Sequence, residues 1–77
     1  MKKSYILEIK ELGVKVKKMR EERSFTQQDL ADMCEVDTRT IQRIERGDSG
    51  IGLHILFALS DAFEVSVSHL LENLSPK

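Results

Sequence analysis

One stretch, Thr38-Arg39-Thr40-Ile41-Gln42-Arg43-Ile44-Glu45-Arg46, carries only two apolar side chains. Ile41 and Ile44 are three residues apart, so a helix here buries a narrow stripe and turns its remaining faces outward. Two threonines, two arginines and a glutamine then share one exposed surface. The chemistry available to these groups is hydrogen-bonded recognition. Arginine matches the acceptors of guanine, glutamine matches adenine and threonine matches several bases, and one helix of this size fits a duplex major groove. No nucleophile–base pair suggests itself, so no catalysis is expected. His54 and His69 are isolated from other residues at metal-ligand spacing. Asp29, Asp32, Glu35 and Asp37 are spaced as a helix surface and its caps, not as a calcium loop. Cys34 is expected to be a small core thiol. Neither a cofactor nor a metal site follows from these residues.

That surface needs helices to hold it, and the spacing predicts an all-α chain of five. The first covers about 10–23, with Leu12, Val16 and Met19 in one stripe, and Ser24-Phe25 breaks it. Thr26 caps the second helix, and Asp29, three residues on, completes a capping box. Leu30, Ala31 and Cys34 face inward. A tight turn at 34–36 leads to Asp37 as the next cap, and Gly47 stops the third helix. A fourth follows the glycine loop over about 53–63. Ser66 caps a fifth over about 67–74. The expected core is Leu12, Val16, Met19, Leu30, Val36, Ile41, Ile44, Leu56, Leu59, Phe63, Val65 and Leu70. Residues 1–9 are read as an N-terminal extension, 10–74 as the domain and 75–77 as a tail. Tyr5, Ile6 and Leu7 make the extension apolar enough to lengthen the first helix or cover a partner. With Ile55, Phe57 and Leu71 they exceed what one small core buries, which points to a dimer surface.

The chain has 77 residues, one cysteine and a net charge of -1. This length suits one small domain, and a single cysteine excludes an internal disulfide framework. Without a membrane-length apolar run or a signal-like start, a cytoplasmic protein is expected. The charge by itself argues against nucleic acid, but it is unevenly spread. Residues 1–47 hold eleven bases against nine acids, and residues 48–77 one base against four acids.

Four segments together resemble the Cro/C1-type (Xre-like) helix-turn-helix family. They run from Leu12-Gly13 to Met19-Arg20, from Thr26-Gln27-Gln28 to Leu30-Ala31, from Thr40-Ile41-Gln42 to Arg46-Gly47, and from Phe63-Glu64 to Leu70-Leu71. The resemblance implies a compact five-helix lambda-repressor-like domain. It also implies a transcription regulator that binds a double-stranded DNA operator, as a homodimer on a palindromic site. Implied roles follow for single residues. Gln27 bonds a phosphate and braces the recognition helix. Thr38, Arg39 and Arg43 reach base edges, with Thr40 and Gln42 next in line. Arg20 and Glu45 form a partly buried ion pair. Lys17 and Lys18 are candidates for phosphate contact, as are the backbone N–H groups at Gly50 and Ile51. The chain departs from the family in having Glu35 where the turn usually has glycine, at an expected cost on the order of 1 kcal/mol. Its loop after the third helix, with Asp48, is also not basic. Alternative readings are an antitoxin-type regulator that also binds a toxin, and a protein-interaction module that has lost DNA binding.

Overall fold

Leu12, Val16 and Met19 are all buried along one side of a single helix, as their spacing requires. In the computed structural model, which describes residues 5–48 and 50–74, five helices follow in order. They are α1 (Ile6–Glu22), α2 (Gln27–Cys34), α3 (Thr38–Arg46), α4 (Leu53–Phe63) and α5 (Val67–Leu71). The all-α architecture is the one expected. Among the described residues there is no strand. α1 packs on α3 and α5, α2 lies against α3 and α4, and α4 meets α5. Phe63, Leu30, Ile41, Leu59, Leu70 and Val16 are the largest fully buried side chains. Val36 and Val65, expected in the core, are half-buried and pack against it, as does Ile55.

The caps follow the sequence closely. Thr26 accepts from the Asp29 N–H, and the Asp29 side chain accepts from the Thr26 N–H, completing the capping box. Ser66 accepts from the His69 N–H. Asp37 holds the N-cap position of α3, but its side chain makes no capping hydrogen bond. Gly47 ends α3 at φ 71°, a left-handed conformation that costs glycine little. A side chain there would also collide with Lys10 of α1, whose Cα lies 2.8 Å from the Cβ position.

Two helix boundaries depart from expectation. α1 begins at Ile6 rather than near Lys10, so the described part of the apolar N-terminal segment lengthens the helix. α5 ends at Leu71 rather than near Leu74, since Glu72 is extended and Asn73 adopts φ 61°. The ammonium of Lys15 on α1 donates to the carbonyls of His69 and Glu72. It thereby supplies donors to an end of α5 whose carbonyls the helix leaves unsatisfied. Residues 1–4 of the expected N-terminal extension and the expected tail, 75–77, lie outside the described residues.

Glu35 takes the left-handed conformation expected of the turn, with φ 58°. The strain of about 1 kcal/mol is met by its N–H bonding the Asp32 carbonyl. Glu35→Gly is therefore expected to stabilise the fold by up to about 1 kcal/mol, less the entropy glycine adds to the unfolded chain. Urea denaturation of the two proteins checks this, and a lower midpoint for the glycine variant would refute the strain.

Candidate nucleic-acid interface

The back of α3 is held by a buried charge cluster. Arg20 of α1 donates from Nε to Glu45 Oε2 at 2.6 Å and from Nη2 to Glu45 Oε1 at 3.1 Å. Its Nη1 donates to the Phe25 carbonyl at 2.8 Å. Gln27, the first residue of α2, donates from Nε2 to Glu45 Oε1 at 3.0 Å. The side chains of Arg20 and Glu45 are 10% and 4% exposed, so a two-point pair is shielded from water and each charge depends on the other. The hydrogen bond to Glu45 raises the Arg20 pKa above its ordinary value, against the opposing effect of burial. Three helices thus converge on one carboxylate near the end of α3. Arg20 and Glu45, expected to pair, are in contact, and Gln27, expected to brace the recognition helix, donates to the same carboxylate.

A second constraint on α3 was not expected. Gly13 is buried in α1, and a Cβ there would stand 2.2 Å from the Ile44 carbonyl oxygen. Backbone therefore meets backbone where α1 crosses α3, and only glycine permits it. Sequence reasoning gave Gly13 no role, since a lone glycine in a helix otherwise signals only weakness.

The outer face of α3 carries the residues expected to reach base edges. Arg39 and Arg43, four residues apart, are exposed, while Thr38, Thr40 and Gln42 are half-buried. No described group bonds the side chain of Arg39 or Arg43. The other arginines of the domain are engaged. Arg23 donates to the Met19 and Phe63 carbonyls and lies over the Phe63 ring at 5.1 Å. Arg46 donates to Asp48 at 2.8 Å, so the loop acid is paired locally. Thr38 donates its hydroxyl hydrogen to Gln28 on α2. Gln28 was not singled out from the sequence. Gln28 also donates to Asp32, one helical turn on along α2, but its reach to Thr38 depends on how α2 crosses α3.

The basic candidates divide between two sides. Lys17 lines a pocket with Gln27, Gln42, Glu45 and Arg46, beside the outer face of α3. Lys18 lies in a different groove, between α1 and α5, with Leu7, Val14 and His69. Gly50 is exposed, and Ile51 packs against the core. Cys34 is buried, and burial pushes its thiol pKa up, as suits an inert core group. Among the described residues no group of three or more His, Cys, Asp or Glu could hold a metal ion. No described helix is long and apolar enough to cross a membrane.

Residues 16–70 match the helix-turn-helix family. The chain belongs to the Cro/C1-type helix-turn-helix family. As a member it is a DNA-binding transcription regulator. Solved structures of similar fold agree with the family. The wild-type restriction-modification controller protein C.Esp1396I is 29% identical with a TM-score of 0.74, and the match covers 97% of this chain and 100% of that one. The P22 c2 repressor, solved in complex with a synthetic operator, is 28% identical with a TM-score of 0.75, covering 79% of this chain and 92% of its own. The restriction-modification controller protein C.AhdI from Aeromonas hydrophila has a TM-score of 0.78, covering 80% and 94%. At 21% identity that likeness speaks for the fold alone. No curated protein matches. In this helix-turn-helix domain α2 and α3 form the motif, and Glu45 ties its second helix to the first and to α1.

Proposed function

We propose that the protein is a repressor or controller that acts as a homodimer on a palindromic operator, with α3 of each protomer in one major groove. The observation that carries this reading is the freedom of Arg39 and Arg43. They lie one turn apart on the exposed face of α3, no described group engages them, and the helix behind them is clamped. An arginine fork suits the two acceptors of guanine. Phosphate contacts would fix the register. Lys17 and Gln27 are candidates beside α3, and so are the N–H groups from Gly50 and Ile51 to the start of α4. The N-cap of α4, Gly52, provides no side-chain acceptor, which leaves the first N–H groups of α4 for an anion.

Arg39→Ala and Arg43→Ala are each expected to weaken operator binding by about 1–3 kcal/mol and to relax preference at one base position. The measurement is operator selection from random duplexes, followed by titration of the selected site. Wild-type affinity and preference in both variants would remove α3 as the reading helix. If the wild-type protein enriches no sequence even at low salt, the interaction-module reading takes its place.

Two recognition helices on adjacent half-sites lie about 34–36 Å apart, which requires a dimer. Phe57 and Leu71 are 54% and 43% exposed, and apolar surface left open in this way marks an interface. Phe57→Glu is expected to shift the protein to monomer in sedimentation velocity and to reduce operator affinity. If Phe57→Glu and Leu71→Glu both sediment as wild type does, the dimer uses another surface.

A further inference from the structure

The hydroxyl of Thr38, the first residue of α3, is set in one polarity by a chain of groups on α2. Gln28 Nε2 donates to Asp32 Oδ1 at 2.8 Å. A carboxylate can only accept, so the amide NH2 of Gln28 must face Asp32 and its carbonyl oxygen must face away. That oxygen receives the hydroxyl hydrogen of Thr38. A hydroxyl has one hydrogen and two lone pairs. With the hydrogen committed to Gln28, Thr38 offers only lone pairs to whatever meets α3. None of Gln28, Asp32 and Thr38 is buried, so the chain is open to solvent beside the start of α3, and a duplex that covers it strengthens it by excluding water.

We infer that Asp32 and Gln28 orient Thr38 as a hydrogen-bond acceptor, so that it reads the exocyclic amine of adenine or cytosine in the major groove and rejects a carbonyl there. This rests on α3 being the base-reading helix. Phosphate oxygens accept and do not donate, so the same polarity excludes Thr38 from phosphate contact. Asp32 and Gln28 are positioning residues, and Thr38 makes the contact. The base edges carry the matching code, since adenine N6 and cytosine N4 donate whereas guanine O6 and thymine O4 accept.

The test begins with operator selection using wild-type protein and Thr38→Val, which locates the base pair that Thr38 reads. At that pair, a duplex whose adenine or cytosine lacks its exocyclic amine should bind wild type about three- to tenfold more weakly and should bind Thr38→Val nearly as well as the intact site. Inverting the pair presents a carbonyl instead. That change should cost wild type about tenfold and Asp32→Ala about threefold or less, since the freed amide can turn and release the hydroxyl. Asp32 is exposed, and its variant should melt as wild type does and keep its preference at every other position. The inference is overturned if Thr38→Val alters no position or if removing the amine leaves wild-type binding unchanged. It is equally overturned if Asp32→Ala rejects the inverted pair as strongly as wild type, or loses preference across the whole site. Failure of wild type to enrich any sequence would instead overturn the DNA-reading role of α3, and the inference with it.

Discussion

Arg20→Ala is expected to destabilise the domain by about 3–5 kcal/mol, far more than Arg39→Ala. The truncation removes two hydrogen bonds to Glu45 and one to the Phe25 carbonyl. It strands a carboxylate that is 4% exposed, with only the Gln27 amide still donating to it. Most of the cost is this uncompensated charge and not the worth of the pair itself. A domain of this size has a total stability on the order of 5–10 kcal/mol, so about a third or more of it is at stake. At roughly 4–8 °C per kcal/mol, the melting temperature should fall on the order of 15 °C or more. Arg20→Lys should recover only part of the loss, since an ammonium lacks the planar fork that holds Glu45 at two points. Arg39 is exposed and unengaged among the described residues, so Arg39→Ala should melt within about 0.5 kcal/mol of wild type. Thermal melts in the reverse order would disprove the clamp.

Gly13→Ala is the second large effect, and here two physical arguments predict opposite signs. Helix propensity favours alanine by about 1 kcal/mol in a helix interior. Packing opposes it. The new Cβ would stand 2.2 Å from the Ile44 carbonyl oxygen, 3.0 Å from the Glu45 carbonyl oxygen and 3.2 Å from the Glu45 carbonyl carbon. All three are backbone atoms of α3, so no side chain can swing aside. The helices must separate, and overpacking of this kind costs about 1–3 kcal/mol or more. Three backbone contacts place the cost at the upper end of that range, so packing wins, and a net loss of up to about 2 kcal/mol is expected in urea denaturation. Operator affinity should fall as well, since the separation pulls Glu45 from Arg20 and shifts the face that carries Arg39 and Arg43. A Gly13→Ala protein more stable than wild type would rule out the close crossing.

Much of the architecture was legible because it depends on neighbours within one helix. The stripes at Leu12, Val16 and Met19, and at Ile41 and Ile44, need only helical spacing. So does the capping box, in which Thr26 and Asp29 are three residues apart. Gly47 marks a chain reversal with left-handed backbone, and at Glu35 the resemblance to a family with glycine in that turn implied the same conformation. The family resemblance added the Arg20–Glu45 pair, which no spacing rule could supply. Helix ends were less legible. The end of α5 coincides with Lys15 contacts that span more than fifty positions of chain, and propensity within 67–74 carries no trace of them.

The candidate site divides along the same line. Residue types alone established that α3 would turn arginines, threonines and a glutamine outward and that its apolar stripe was too narrow for a core helix. Two isoleucines among polar neighbours allow no other helical arrangement. Tertiary structure determined which of those polar groups remain available. Among the described residues nothing engages the side chains of Arg39 and Arg43, Thr38 is held by Gln28, and Gln27 shares Glu45 with Arg20. These outcomes depend on how closely α1 and α2 cross α3. That distance depends in turn on a missing side chain at Gly13, and a sequence registers such an absence only as flexibility until the opposing backbone is in place.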